Sequence, residues 1–193
     1  MATRQDIVTT AEAELGSTNW AKYLSYCGYD FKTDWCNAFV TWVFGQHGLN
    51  GLAVRYNSIN CTPSRDWFIA RDRYITDKVN YLPQPGDNIF YHWSTGTPGK
   101  VQHIGIVRYA DANNVYTIEG NVDFVNGISR VAYKTRSRSY TPIEGYGIPD
   151  MDNVEPWQPG DPDVPGENPY DPPDETEVEY DGRKRMKFIY YMK

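Results

Sequence analysis

The sequence has few of the residues that would make it a disulfide-stabilised, metal-binding or membrane-spanning protein. Only three cysteines and three histidines occur in 193 residues. There is no CxxC pair, no HExxH motif and no Cys–His ligand spacing, so we expect neither a disulfide framework nor a structural zinc site. At least one thiol should be free. No stretch approaches the roughly 20 apolar residues that a membrane-spanning helix needs.

Positive charge is also scarce. The 19 lysines and arginines are outnumbered by 25 aspartates and glutamates, which gives a formal net charge of −6. Nucleic-acid-binding proteins normally present a basic face, so we expect no nucleic-acid partner. The N-terminal residues include acids and lack the apolar run of a secretory signal, so action outside the cytoplasm would need another route of export.

The composition changes sharply after residue 151. Residues 152–177 are rich in Pro, Asp and Glu, and such a segment cannot bury enough apolar surface to order itself. We predict that it is an extended acidic linker, followed by a short basic and apolar tail at 178–193. Residues 1–151 are predicted to form one compact domain.

Three helices are predicted in the first half of that domain. Thr3 and Asp6 resemble the capping box at the start of a first helix. A second helix is predicted over 34–47, where an apolar stripe precedes Gly48 as a C-terminal stop. A shorter third helix is predicted over 64–73.

After Pro85 the pattern changes to short apolar runs with the period of a β-strand. Strands are predicted over 87–91, 103–109, 115–118 and 128–133, separated by Gly, Asn or Pro at hairpin spacing. Helices first and a meander of strands afterwards indicate an α+β fold, in which N-terminal helices pack on an antiparallel β-sheet.

Cys36 lies in the segment TDWCNAFVTWVF, in the first turn of the second predicted helix. Unpaired backbone N–H groups and the positive end of the helix dipole favour a thiolate at that position. A small, unreactive core cysteine is the commoner use of this residue type. Cys36 alone therefore does not decide between a nucleophile and a core residue.

His103 opens the predicted strand QHIGIV, on the same strand face as Gly105, which leaves room beside the imidazole. A histidine at the start of a strand is more often structural than catalytic. Of the other two histidines, His47 lies about 16 Å from Cys36 along the helix, too far to act on it. Spacing alone does not exclude His92.

Glu119 and Asn121 stand two apart in YTIEGN, so a regular strand would project both from the same side. Either residue alone fits a solvent-facing polar edge. A Cys–His pair, however, needs a third polar group that fixes the imidazole tautomer and stabilises its cation. Cys36, His103 and these two residues together therefore predict nucleophilic catalysis.

These motifs, taken in order, resemble the CHAP domain (cysteine- and histidine-dependent amidohydrolase/peptidase) of the papain-like NlpC/P60 group. WCNAFVTWVF, PQPGDNIFYHW, QHIGIV and YTIEGNV follow one another in that order, and GYGIPD closes the resemblance. It spans roughly residues 5–150. The resemblance implies a papain-like fold whose cysteine helix packs against an antiparallel sheet that bears the histidine.

Carried over by motif, the resemblance implies that Cys36 is the nucleophile, His103 the general base and acid, and Glu119 the orienting residue. Asn121 would be a further polar member of the site. The family hydrolyses peptidoglycan as an N-acetylmuramoyl-L-alanine amidase or as a peptide-bridge endopeptidase, and no cofactor is required. Many members are phage lysins or virion-associated enzymes.

Two further expectations concern ligands. Some relatives bind calcium just before the nucleophile, and Asp30 and Asp34 flank that region, but GYDFKTD lacks the dense acids of a strong calcium loop. Four aromatic residues near the motifs are candidates for a groove that binds glycan or stem peptide, although packing explains each of them as well. They are Tyr29, Trp35, Tyr91 and Trp93.

The expected substrate is therefore bacterial peptidoglycan, and the expected enzyme a phage endolysin or tail-associated lysin. It would be made in the host cytoplasm and either leave through a holin pore or be built into the virion. The tail at 178–193 would then contact other phage tail or virion proteins. Two alternatives stay open: an inactive structural or binding module of a phage particle, and a thiol protease that acts on protein.

Overall fold

Four helices and one six-stranded sheet make up the part of the chain that the computed structural model describes, residues 2–93 and 98–151. The helices are α1 (Arg4–Ala13), α2 (Trp20–Tyr26), α3 (Cys36–Gly45) and α4 (Cys61–Ile69). The strands are β1 (Tyr74–Ile75), β2 (Asn88–Tyr91), β3 (His103–Ala110), β4 (Asn114–Val125), β5 (Ile128–Ser137) and β6 (Ile143–Gly147). The predicted α+β fold is confirmed.

The predicted linker at 152–177 and the predicted tail at 178–193 lie outside the described residues. Within the described residues, no helix has both the length and the apolar character needed to cross a membrane.

The sheet is antiparallel, with the strand order β1-β6-β2-β3-β4-β5. Strands β2 to β5 follow one another as the predicted meander. Strand β6, the last in chain order, lies between β1 and β2, where Tyr146 pairs with Ile89 and Gly147 pairs with both Asn88 and Tyr74. Neither β1 nor β6 was among the predicted strands.

Helix α3 is the central element of the helical layer. Eight of its ten residues are buried, so it is a core helix and not an amphipathic surface helix. It packs on β3 and β4, and the main core includes Phe39 of the helix and Ile104, Ile106 and Ile118 of the two strands. Because side chains alternate along a strand, Val107 belongs to a second apolar cluster.

The starts of α1 and α3 agree with the signals in the sequence, whereas the start of α4 does not. In α1, the Thr3 hydroxyl accepts a bond from the Asp6 N–H and the Asp6 carboxylate accepts one from the Thr3 N–H, so the capping box is confirmed. Helix α3 begins at Cys36, as the nucleophile prediction required. Helix α4 begins at Cys61, earlier than the predicted residue 64.

Helix α2 was not predicted. It is only seven residues long, so it shows too little periodicity to be recognised in the sequence. Its one local signal is Asn19, whose side chain caps the helix by accepting a bond from the Lys22 N–H.

Candidate active site

Cys36 is the first residue of α3 and is almost completely buried, with 3% of its surface exposed. The residue before it, Trp35, is the N-cap but makes no side-chain capping bond. The first-turn N–H groups of the helix therefore have no side-chain acceptor at the cap. Together with the helix dipole, they give Cys36 an environment that favours a negative charge on sulfur.

His103 is the first residue of β3 and lies beside Cys36. Its Nε2 is 2.8 Å from Oε2 of Glu119. A carboxylate only accepts, so Nε2 donates the proton in this bond and Nδ1 is left for the sulfur. The Cys36 sulfur and the imidazole interact through a hydrogen bond and through charge: His103 lowers the pKa of Cys36, and Cys36 raises the pKa of His103.

Glu119 is 1% exposed and lies at the end of a chain of three groups that begins at the Cys36 sulfur. Besides the His103 ring, its carboxylate accepts the Tyr91 hydroxyl at 2.8 Å and the Thr117 hydroxyl at 2.6 Å. A buried carboxylate with three donors is held in one orientation. It can therefore hold the imidazole of His103 in one tautomer, as the third member of a Cys–His site does.

Gly105 makes this arrangement sterically feasible. A Cβ atom at this position would lie 2.7 Å from Cγ of Glu119, closer than real Cβ atoms approach another group. The sequence prediction placed the free space at Gly105 beside the imidazole. The structure shows that the Glu119 side chain occupies it.

The pKa shifts follow from these contacts. The Cys61 hydrogen bond lowers the pKa of the Cys36 thiol well below its usual value; burial opposes this, and His103 adds to it. Burial lowers the pKa of His103, but the charges and hydrogen bonds of Cys36 and Glu119 outweigh it and raise that pKa to about 10. The favoured state is therefore a thiolate beside an imidazolium.

Glu119 stays ionised in spite of its burial. Burial alone would raise the pKa of this carboxyl, but the hydrogen bond and charge of His103 lower it, and the Thr117 and Tyr91 hydroxyls act in the same direction. The site thus holds alternating charges, from thiolate to imidazolium to carboxylate.

Asn121 does not join this chain of groups. The pairing of β4 with β5 is irregular between Glu119 and Val122, and Asn121 has φ +62°, so the expectation that both side chains project from one side is wrong. Its Nδ2 donates to Asp34 at 2.9 Å, and its Oδ1 accepts from Ser129 at 2.7 Å. Asn121 therefore ties β4 to the loop that leads into Cys36, and its catalytic role stays a prediction.

Two of the four aromatic residues predicted to contact substrate lie in the interior. Trp35 is completely buried, stacked on Tyr23 at 5.2 Å between ring centroids, and its Nε1 donates to Ser129. Tyr91 is 1% exposed and donates to Glu119. Both side chains therefore pack in the interior next to the site and are not exposed to a substrate groove, which corrects the expectation that they line one.

The other two aromatic residues are half-buried. Trp93 stacks on Tyr91 at 5.7 Å and lies 5.8 Å from the His103 ring. Tyr29 makes an edge contact with Phe31, which is 51% exposed. Trp93 thus lies at the imidazole, whereas Tyr29 lies on the loop before Cys36. For both, contact with substrate stays a prediction.

The remaining histidines are bound elsewhere. The ring of His47 is 2.8 Å from the Thr10 hydroxyl, and that of His92 is 2.6 Å from the Lys100 carbonyl. His103 is therefore the histidine that the fold brings to Cys36, in agreement with the order of the motifs.

The described residues contain no group of three or more His, Cys, Asp or Glu side chains that could hold a metal ion. Of the two candidate calcium ligands, Asp34 accepts the bond from Asn121, and Asp30 is exposed. A calcium site at these residues stays a prediction.

Thr117 was not predicted from the sequence to belong to the site, and neither was Cys61. Its sulfur lies 3.6 Å from the sulfur of Cys36, and both are buried. The two cysteines are far apart in the chain and share no motif, so the sequence carried no local signal for this contact. An earlier start for the third helix would have placed Cys61 in a first turn, as for Cys36.

Comparison with known proteins finds similarity to one family model and to solved structures. Residues 28–121 match the family model of the CHAP domain. A search of curated proteins finds no match. Among solved structures, the crystal structure of Ly7917 superposes with a TM-score of 0.51 at 14% identity, covering 77% of this chain and 63% of that one. The crystal structure of Ly7917 with the hydrolyzing product of MDP gives a TM-score of 0.49 at 13% identity, covering 76% and 63%.

The likeness to Ly7917 is one of fold. The chain spans less than two thirds of the length of that protein. The family match includes Cys36, His103, Glu119 and Asn121, all of which lie within residues 28–121.

Proposed function

We propose that this protein is a peptidoglycan hydrolase that cleaves amide bonds of the bacterial cell wall with Cys36 as its nucleophile, because residues 28–121 match the family model of the CHAP domain. One observation carries the proposal: the chain of contacts from the Cys36 sulfur through His103 to the buried carboxylate of Glu119. A purely structural module has no need of such a buried chain of charges, which is expensive to maintain.

In the proposed reaction, the Cys36 thiolate attacks the carbonyl carbon of the scissile amide and forms a tetrahedral intermediate. The first-turn N–H groups of α3, which lack a side-chain cap, are suited to stabilise its oxyanion. The His103 imidazolium gives its proton to the departing amine, and the C–N bond breaks.

The acyl-enzyme is then hydrolysed. Neutral His103 takes a proton from water, the water oxygen attacks the thioester carbonyl, and the S–C bond breaks to return the Cys36 thiolate. The Glu119 carboxylate stays ionised throughout and stabilises the imidazolium each time it forms. The cycle is balanced by one water molecule per amide bond.

Mass spectrometry of purified peptidoglycan digests tests the proposal. We expect new muropeptide fragments with the wild-type chain and none with Cys36→Ala. Cys27→Ala is the matched control, because Cys27 is also buried but its sulfur donates to the Ser58 carbonyl and not to Cys36, His103 or Glu119. The new termini distinguish an N-acetylmuramoyl-L-alanine amidase from a peptide-bridge endopeptidase.

Two results would contradict the proposal. Fragments that persist with Cys36→Ala would exclude Cys36 as nucleophile. A folded wild-type chain that cuts no wall type would point to an inactive structural module, or to a protein substrate if it cuts casein.

The biological setting that we propose is a phage endolysin or a tail-associated lysin that reaches the wall after release through a holin pore or as part of the virion. The support is the CHAP domain, since many members of that family act in this way. Proteomic analysis of purified virions and of the lysate separates the two routes. Expression from a bacterial chromosome with no phage genes nearby would contradict both.

A further inference from the structure

Cys61 contacts the candidate nucleophile, although the proposed reaction gives Cys61 no role. The two sulfur atoms are 3.6 Å apart, within the range of a hydrogen bond between sulfur atoms. Cys61 is 8% exposed and Cys36 is 3% exposed, so water competes little for either sulfur. Each cysteine is also the first residue of its helix, α4 and α3.

Polar contacts of neighbouring residues fix the position of Cys61 on both sides. On one side, Nδ2 of Asn37, the residue after Cys36, donates to the Asn60 carbonyl at 2.8 Å. On the other side, the Thr62 hydroxyl donates to the Val101 carbonyl at 3.3 Å and accepts the Val101 N–H at 3.1 Å. The chain around Cys61 is thus bound next to the nucleophile and to the segment that leads into His103.

Asn37 strengthens the first of these connections. Its buried amide nitrogen also lies 2.7 Å from the hydroxyl oxygens of Ser58 and Ser64, so its two N–H groups are shared among these hydroxyls and the Asn60 carbonyl. One side chain of α3 therefore holds the end of the preceding loop and the first turn of α4 together. The sulfur–sulfur contact is a consequence of this network and does not depend on a mobile surface side chain.

The charges at the site decide which sulfur donates. The groups that act on Cys36 are Cys61, His103 and Asp34, and their combined effect, with burial, is to lower its pKa well below the usual value. The hydrogen bond to Cys36, burial, and the charges of Cys36 and Asp34 all raise the pKa of Cys61 well above it. Cys36 is therefore the anionic acceptor and Cys61 the protonated donor.

We propose that Cys61 is a positioning residue, whose S–H donates to the Cys36 sulfur and holds it toward His103 for the amide hydrolysis proposed above. This inference rests on the proposed function for its place in catalysis. The hydrogen bond supplements the α3 N-terminus and the imidazolium in stabilising negative charge on the Cys36 sulfur. Loss of the donor should leave a nucleophile that is less acidic and less well oriented.

The pH dependence of alkylation reads out this bond without any substrate. The wild-type chain, Cys61→Ala and Cys61→Ser are treated with iodoacetamide over a range of pH, and peptide mass mapping follows Cys36 alone. For Cys61→Ala, we expect the midpoint of Cys36 alkylation to move up by about one pH unit, a tenfold change in the ionisation constant. Cys61→Ser keeps a hydroxyl donor and should restore most of the wild-type midpoint.

Cys27→Ala is the matched control, since it also removes a buried thiol, and its midpoint should equal that of the wild type. An unchanged midpoint in Cys61→Ala, with a native circular dichroism spectrum, would overturn the inference. So would equal shifts in Cys61→Ala and Cys61→Ser, because a purely steric role does not distinguish a side chain that donates from one that does not.

The two proposals fail in different ways. If the chain cuts no peptidoglycan but Cys36 shows a low midpoint that rises in Cys61→Ala, the proposed function fails and the hydrogen bond stands. If peptidoglycan is cut equally well by wild type and Cys61→Ala, with equal midpoints, the function stands and the role of Cys61 is excluded.

Discussion

Two buried carboxylates, Glu119 at the candidate site and Asp87 directly before β2, have closely similar surroundings. Asp87 is completely buried and Glu119 is 1% exposed. Asp87 accepts bonds from the Arg4 guanidinium at 2.7 Å, the Tyr81 hydroxyl at 2.5 Å and the Gln84 N–H at 2.8 Å. Like Glu119, it therefore has one cationic donor, one tyrosine hydroxyl and one further donor.

The two carboxyl groups nevertheless shift in opposite directions. Burial raises the pKa of Asp87 against the effect of its donors, whereas the bond and charge of His103 outweigh burial and lower the pKa of Glu119. The cation accounts for the difference. Arg4 is always charged, and its side chain is 31% exposed. His103 is buried, can lose its proton, and faces the Cys36 sulfur on its other side.

The comparison shows that a buried, fully bonded carboxylate does not by itself mark an active site. Asp87 joins the start of α1 to the start of β2 through a charge pair that never needs to change. Glu119 of β4 is bonded to His103 of β3, and the imidazole of His103 can gain or lose a proton. The structural carboxylate and the candidate catalytic one therefore differ in their partner: that of Glu119 is a titratable histidine, and this histidine also contacts a cysteine.

The largest expected effect comes from Glu119→Gln. The variant keeps the shape of the side chain but loses the charge that stabilises the imidazolium and fixes its tautomer. We expect kcat on peptidoglycan to fall by about 100- to 10,000-fold. Muropeptide release measured under saturating substrate checks this, and wild-type rates from Glu119→Gln would remove this residue from the mechanism.

Asp87→Asn should give the opposite pattern, a loss of stability without a loss of activity. The variant leaves Arg4 without its acid partner, so we expect the free energy of unfolding to fall by about 1–3 kcal/mol. Urea denaturation measures this change, and kcat at a temperature where the variant is folded should match that of the wild type. A large fall in kcat would mean that Asp87 also supports the site.

The dependence of stability on pH should distinguish the two regions further. The pKa of His103 is raised from 6.5 to about 10, so its stabilisation is complete below pH 6.5 and is lost as the pH rises through about 10. The pKa of Cys36 is lowered from 9.0, so its stabilisation is present above pH 9.0 and is lost as the pH falls through the folded-state value. The combined contribution of His103 and Cys36 to the free energy of unfolding is therefore greatest, and forms a plateau, between pH 6.5 and 9.0.

Urea denaturation of the wild type, of Arg4→Gln and of a Cys36→Ala/His103→Gln double variant across this range checks the prediction. Arg4→Gln should be less stable than the wild type but keep the same plateau, because arginine does not titrate here. The double variant should lose the plateau. A plateau that survives in the double variant would assign it to other groups.

The smallest expected effects come from the two tyrosines. Tyr91→Phe and Tyr81→Phe each remove one hydroxyl that donates to a buried carboxylate, and each should lower the free energy of unfolding by about 1 kcal/mol. Only Tyr91→Phe should also lower kcat, because Tyr91 donates to Glu119, and Glu119 orients the imidazole of His103. Equal kcat values for the two variants would contradict the distinction drawn between the two carboxylates.

Elements with a local signal could be predicted from the sequence. The α1 capping box lies within four residues, α3 carries a long apolar stripe, and the strand that begins at His103 is a short, mainly apolar run whose first five residues are buried. These three features placed Cys36 and His103 correctly, each at the start of its element. They also gave the α+β class, since helices preceded strands along the chain.

Features that depend on distant parts of the chain could not be predicted. Strand β1 has two residues, and its pairing with β6 joins Tyr74 to Gly147, which no local pattern indicates. The left-handed backbone of Asn121 turns its side chain to Asp34, against a strict period of two. The contact of Cys61 with Cys36 likewise depends on packing between two helices.

The position of β6 has a consequence for the synthesis of the chain. Cys36, His103 and Glu119 all leave the ribosome before residues 143–147, yet β2 gains its second neighbour only when those residues arrive. Until then, the outer edge of β2 presents unpaired backbone groups that another chain could bind. A nascent chain thus carries its chemical groups early and completes its sheet late, so ribosome stalling before Ile143 would leave an aggregation-prone intermediate.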